Sequence, residues 1–135
     1  MPNHNALTII IPHYNTSRYL GRLLESIYNE VADVDVVVVD DKSNHEELTS
    51  VENLVQKFVG VRLIYNESEK KGAGTCRNIG LDNAHTEWIM FADSDDYFLP
   101  GWYDSVGKFL DSDYEVVFFA PNGKRAKNYA NMCRF

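Results

Sequence analysis

The 135-residue chain is the size of one domain, and its 44% hydrophobic and 24% charged residues suit a protein that buries a core, which excludes a disordered or fibrous chain. Net charge is −7, yet the stretch 121–135 carries Lys124, Arg125, Lys127 and Arg134 with no acid, so nine basic residues face twenty acidic ones in the remainder. That acidic body argues against nucleic acid as a partner and suits a site that recruits a divalent cation. No apolar run nears the roughly 20 residues that cross a bilayer, and Met1-Pro2-Asn3-His4-Asn5 is not a signal-like start, so the expected location is the cytoplasm. The basic tail reads as a solvated end, or as one that touches the inner face of a membrane or a neighbouring subunit. Cys76 and Cys133 have no metal-like spacing and are expected as reduced thiols.

In chain order, Leu7–Ile11 is an apolar β-rich run stopped by Pro12, and Val36–Val39 is a second one stopped by Asp40-Asp41. Both have the pattern of buried parallel strands. Between them Leu20, Leu23, Leu24 and Ile27 recur at helical spacing, with Asn15, Thr16 or Ser17 available as N-cap. Ser43-Asn44-His45-Glu46 matches a capping box for a helix whose apolar face is Leu48, Val51, Val55 and Phe58, ended by Gly60. Val61–Tyr65 predicts a third strand, 75–84 a third helix and Trp88–Ala92 a fourth strand. A short helix follows Pro100-Gly101 with Trp102, Val106, Phe109 and Leu110 on one side, and Val116–Phe119 predicts a fifth strand.

Strand and helix alternating at this spacing predict an α/β fold: a mainly parallel sheet, helices on both faces, right-handed crossovers. Ligands of such sheets bind beyond the carboxyl ends of the strands. There stand Pro12-His13-Tyr14-Asn15, Asp40-Asp41 and Asp93-Ser94-Asp95-Asp96. Two carboxylates about 4 Å apart repel by on the order of 4 kcal/mol at an effective dielectric near 20, so five at one rim call for a cation. Oxygen donors without a His/Cys cluster point to Mg²⁺ or Mn²⁺. If the chain stays extended after the fourth strand, Asp93 and Asp95 face one side while Ser94 points away. Each feature also has a plainer reading. Asp93–Asp96 is a turn and cap sequence, and Asp40-Asp41 could lead into a cap. Tyr14 is either a platform for a nucleobase or a ring over the sheet edge, and Arg77 either reaches a base or phosphate or makes a surface ion pair. Gly72-Ala73-Gly74 lacks the ending of a phosphate loop, and His4, His13, His45 and His85 read as loop or cap residues.

Ile9-Ile10-Ile11-Pro12-His13-Tyr14-Asn15, Val37-Val38-Val39-Asp40-Asp41-Lys42-Ser43, Gly72-Ala73-Gly74 with Arg77-Asn78-Ile79-Gly80 and Ala84, and Phe91-Ala92-Asp93-Ser94-Asp95-Asp96 with Pro100 together resemble glycosyltransferase family 2. The motifs stand in the family's order and spacing over about residues 6–103. The resemblance implies a GT-A fold, a Rossmann-like nucleotide-diphospho-sugar transferase architecture, and transfer of a sugar with inversion from a nucleoside diphosphate donor, UDP-sugar favoured. It implies Mn²⁺ or Mg²⁺ as cofactor and a glycan or lipid-linked acceptor. By motif, Pro12 and Tyr14 line the base pocket with Tyr14 on uracil, Asp41 and Asp40 bond the base, and Arg77 lies near. In the acidic motif of Asp93, Asp95 and Asp96 the middle acid approaches the ribose or sugar and the last holds the metal, so Asp95 and Asp96 are the metal candidates.

Residues 1–120 are then the donor-binding domain and 121–135 a short tail. Relatives continue well past 200 residues, the later half supplying the acceptor site and general base, so no catalytic base is assigned and the fold reads as truncated. Self-association, or completion by a partner chain, is the corresponding expectation. Lys42 stands where the family often has Gly. The competing reading is a non-catalytic nucleotide-sugar-binding fragment or subunit. A phosphate-accepting receiver would need its acidic pair after the first strand, and a nucleotidylyltransferase would need a Gly-rich basic loop there; neither is present.

Overall fold

A computed structural model describes residues 6–119. Strands β1 (Leu7–His13), β2 (Asp35–Asp40), β3 (Val61–Tyr65) and β4 (Trp88–Phe91) form one parallel sheet in the order β3-β2-β1-β4. Helices α1 (Ser17–Tyr28) and α2 (His45–Val55) cross over one face as the chain steps outward from β1 to β3. It then reverses direction to reach β4, and α3 (Ala73–Asp82) accordingly lies on the opposite face, as right-handed crossovers require. Helix α4 (Trp102–Leu110) returns to the first face. The reversal makes the space between the carboxyl ends of β1 and β4 the topological switch point of the sheet.

The two faces divide the strand residues by parity. Ile9, Ile11, Val36 and Val38 meet Leu20, Leu23, Leu24 and Ile27 of α1, Val51 of α2 and Trp102, Val106 and Leu110 of α4. Val37 and Val39 meet Cys76 and Ile79 of α3. Ile9–Ile11 and Val36–Val39 are fully buried, which is why both strands read as continuous apolar runs. Gly80 lets α3 lie against β1, because a Cβ there would collide with Ile10. Burial pushes the Cys76 thiol, helped by the nearby Asp41 carboxylate, up to about 11. Cys133 and His4 lie outside the described residues.

Several expectations change, among them the end of α2, which stops at Val55, before Phe58 and Gly60. Strand β1 runs through Pro12 to His13: its β4 pairing ends at Ile10, so the nitrogen that Pro12 lacks as a donor faces no neighbouring strand. His13 closes that strand as a buried residue, neither loop nor cap. The α2 cap is one residue later than the capping-box pattern, with Asn44 Oδ1 accepting from the Glu47 amide at 3.0 Å. Val116–Phe119 pairs with no strand, and the described sheet has four. The chain leaves α4 beside the start of β4, where the Leu110 carbonyl accepts from Trp88 Nε1, and Phe109 packs on Tyr114 and Phe119, which folds this segment back along α4. Among the described residues no helix is long and apolar enough to cross a membrane.

Candidate functional site

Four loops leave the carboxyl rim of the sheet, one after each strand, and side chains join those after β1, β2 and β4 into one unit. His13 is fully buried at the end of β1; its Nε2 accepts from the Thr16 amide at 3.1 Å, which assigns the proton to Nδ1, and Nδ1 donates to Asp40 Oδ1 at 2.9 Å. The other Asp40 oxygen accepts from the Ser43 amide at 3.0 Å. Ser43 Oγ accepts from the Asn15 amide, and Asn15 Oδ1 accepts from the Asn44 amide, both at 3.0 Å. Glu47 of α2 accepts from the Ser17 amide at the start of α1. Thr16 holds the N-cap position of α1 but makes no capping bond; its hydroxyl lies 2.7 Å from that of Ser94, in the loop after β4. The β1 loop is thus bonded to the loops on both sides of it.

Asp40 and Asp41 are both buried, so the five carboxylates do not crowd one open rim. Burial raises the Asp40 carboxyl, but the hydrogen bonds from His13 and Ser43 outweigh it, leaving the group below its ordinary value. Asp41 accepts from Asn66 Nδ2 at 2.9 Å and from the Gly72 amide at 2.8 Å. Asn66, which directly follows β3, also bonds the Lys70 carbonyl and so shapes the loop into α3. Sequence reasoning passed over Asn66; its strand-end position was the available signal. Between these groups Lys42 takes φ = 61°, a left-handed conformation that explains the family's Gly at this place, and Asn15 takes φ = 48°.

Tyr14 is half exposed at the tip of the β1 loop, with Pro12 partly buried behind it. After β4 the chain does not stay extended: the Asp96 amide donates to the Asp93 carbonyl at 3.0 Å, closing a turn, and it is this turn rather than an extended strand that leaves Asp93 and Asp95 outside and Ser94 inside. Ser94 turns inward to Thr16, while Asp93, Asp95 and Asp96 are exposed. Arg77 of α3 pairs with Asp93 at 3.0 Å, and Arg22 of α1 donates to the Asp95 carbonyl at 2.8 Å. Asp96 is pushed above its ordinary value, first by partial desolvation and then by the charges of Asp95 and Asp93. The arrangement brings Tyr14, Arg77 and the acidic turn to the carboxyl rim of the sheet. Asp40 and Asp41 are held inside it, each with both oxygens engaged.

Among the described residues no three His, Cys, Asp or Glu side chains are arranged to hold a metal. The donor set at the turn is all oxygen, and partial desolvation together with the neighbouring charges has already raised one member, Asp96. That suits a hard cation held through one or two carboxylates whose remaining positions go to substrate phosphates and water. A groove at the opposite, amino end of the sheet, around Asp35 and Arg62, is already saturated: Arg62 bonds both Asp35 oxygens and Thr8 donates to one of them.

The family model of glycosyl transferase family 2 matches residues 8–132. The chain is 30% identical over 113 residues to the GalNAc(5)-diNAcBac-PP-undecaprenol beta-1,3-glucosyltransferase of Campylobacter jejuni, covering 83% of this chain and 37% of that protein. It is 32% identical over 113 residues to the poly(ribitol-phosphate) beta-N-acetylglucosaminyltransferase TarS of Staphylococcus aureus, covering 82% of this chain and 20% of that protein. Among solved structures, residues 1–349 of S. aureus TarS superpose with a TM-score of 0.68 at 27% identity, covering 85% of this chain and 39% of that one. The mannosyltransferase PcManGT of Pyrobaculum calidifontis, solved with GDP-Man and Mn²⁺, superposes with a TM-score of 0.71 at 22% identity, a likeness of fold covering 97% of this chain and 40% of that one. The chain therefore spans two fifths or less of these longer proteins, matches their GT-A-like sheet, and belongs to glycosyl transferase family 2.

Proposed function

We propose that this chain is the donor-binding part of an inverting glycosyltransferase that takes its sugar from a nucleoside diphosphate sugar, with UDP-sugar favoured. The observation that supports this most is the contact between Thr16 and Ser94, which joins the loop that carries the exposed Tyr14 ring to the loop that carries the acidic turn, Asp93–Asp96, across the switch point between β1 and β4. In this reading the base stacks on Tyr14 beside Pro12, Asp41 faces the base edge, and Arg77 with Asp93 borders the ribose and diphosphate. Asp95 lies toward the ribose or sugar. Asp40 acts from inside, fixing His13 and Ser43 so that the Tyr14 loop keeps its shape.

A divalent cation, Mn²⁺ or Mg²⁺, would be held by Asp95 and Asp96 and would neutralise the charge that develops on the diphosphate as it leaves. The acceptor, a glycan or a lipid-linked saccharide, and the general base are assigned to the longer protein of which relatives give the pattern, since the chain spans 37% of the first of them. A chain that binds donor without turning it over is the second reading, favoured by the same coverage. Calorimetric titration of UDP and then GDP into the chain, with and without Mn²⁺, tests the proposal. Metal-dependent binding of one nucleotide that is lost in Asp96→Ala is expected; binding of neither would refute it.

A further inference from the structure

The Lys71 ammonium lies over the Tyr14 ring, 4.0 Å from its centroid, on the rim where the donor reading puts a base. The contact is built by the backbone. The Lys70 carbonyl accepts from Asn66 Nδ2 at 2.7 Å and from Ser68 Oγ at 3.0 Å, and the Gly72 amide donates to Asp41 Oδ2 at 2.8 Å. Gly72 takes φ = 118°, a conformation open to glycine, which turns the chain directly after the lysine. Both peptides flanking Lys71 are thus fixed, and its exposed side chain is the part that can move.

A ring face accepts one partner at a time. An ammonium and a stacked base are both attracted to it, the first through the ring quadrupole and the second by dispersion and desolvation, and they exclude each other. The arginines nearby are committed: Arg77 to Asp93, Arg22 to the Asp95 carbonyl and the Tyr97 ring. Among the described residues no carboxylate pairs with Lys71, so its charge rests on the aromatic face alone. An exposed contact of this kind is weak enough for a base to displace.

We infer that Lys71 is a phosphate-binding residue of this site, covering Tyr14 when no base is present and passing its ammonium to the diphosphate when a base takes the ring. The inference rests on the donor-site reading. A base displaces the ammonium, the pinned backbone keeps it within one side-chain length of Tyr14, and the same ligand brings the anionic group that receives it. Lys71 thereby couples recognition of the base to recognition of the diphosphate and favours ligands that carry both.

The test compares uridine with UDP, and guanosine with GDP, on the wild-type chain, Lys71→Met and Lys71→Arg, followed by NMR so that millimolar affinities are read. Lys71→Met is expected to weaken the diphosphate about tenfold, the loss of one charge-assisted contact, while the nucleoside binds equally well or about twofold tighter. Lys71→Arg keeps diphosphate affinity within about threefold, and added salt weakens the diphosphate less in Lys71→Met than in wild type. Unchanged diphosphate affinity in Lys71→Met, or a loss shared equally by the nucleoside, overturns the inference. So do nucleosides that leave the Tyr14 signals unmoved while the diphosphate binds. A wild-type chain that binds neither nucleoside nor diphosphate overturns the donor-site reading, and this inference with it.

Discussion

Thr16 Oγ1 lies 2.7 Å from Ser94 Oγ, so the loop that carries Tyr14 and the turn that carries Asp93, Asp95 and Asp96 share a hydrogen bond across the switch point. Through the Thr16 amide the same loop reaches His13 and Asp40. The two halves of the candidate site are therefore positioned relative to each other by side chains, in addition to the sheet beneath them. Ser94→Ala is expected to cost about 1 kcal/mol in denaturant unfolding, the net worth of one such bond, and to weaken Mn²⁺-dependent UDP binding more than it weakens uridine. Equal losses for both ligands would mean that the bond serves the fold alone.

Asp40 contributes to the acid limb of stability. Its carboxyl is raised by burial and lowered by a larger amount through His13 and Ser43, so its folded value lies below the unfolded one. A depressed carboxylate contributes stability that is complete above its unfolded value, about 3.9, and is lost as pH falls through the folded value. Asp40→Asn turns an amide toward at least one donor and is expected to cost about 3 kcal/mol at pH 7. The gap to wild type should narrow toward pH 3, measured by unfolding at several pH values.

Asp96 has the opposite sign. A folded value above the unfolded one means a contribution that is whole below the unfolded value and lost as pH rises through the folded one, so at pH 7 the ionised Asp96 is disfavoured by partial desolvation and then by the Asp95 and Asp93 charges. Asp96→Asn should raise the melting temperature of the metal-free chain by about 2 °C at pH 7, a size set by solvent screening, with no gain below pH 4. With Mn²⁺ and UDP present the order should reverse, because the variant loses the ligand that stabilises wild type.

Gly80 and Gly74 lie on the same helix and should respond differently to alanine. A methyl at Gly80 meets Ile10 of β1, while one at Gly74 meets nothing within 4 Å. Gly80→Ala is expected to destabilise by about 2 kcal/mol through overpacking, and Gly74→Ala to stabilise by about 0.5 kcal/mol through helix propensity. Thermal unfolding of the two variants distinguishes them.

The apolar runs of β1 and β2 and the Leu20, Leu23, Leu24 and Ile27 stripe were legible because burial on both faces of a strand, or on one face of a helix, leaves a local pattern. The ordered acids and Tyr14 were legible as strand-end residues for the same reason. What could not be read depends on which strands are neighbours. The Thr16–Ser94 bond requires β4 to lie beside β1, and Pro12 looked like a strand stop until β4 was seen to end its pairing at Ile10. His13 and Asp40 sit 27 positions apart, and nothing local marks them as a buried pair. Val116–Phe119 has strand composition, but composition does not supply a neighbour, and the segment packs on Phe109 instead.

In the proposed donor site one nucleotide spans Tyr14 and the acidic turn, with a divalent cation at the turn. NMR of the ¹⁵N-labelled chain on adding UDP with Mn²⁺ tests it most directly, since the paramagnetic ion broadens the amides nearest to it. The expected result is loss of the Asp95 and Asp96 amide signals first, shifted but sharper signals for Tyr14, Asp41 and Gly72, and neither effect in Asp96→Ala. Broadening centred elsewhere, for example at the Asp35 and Arg62 groove, or spectra unmoved by UDP and Mn²⁺ together, would contradict it.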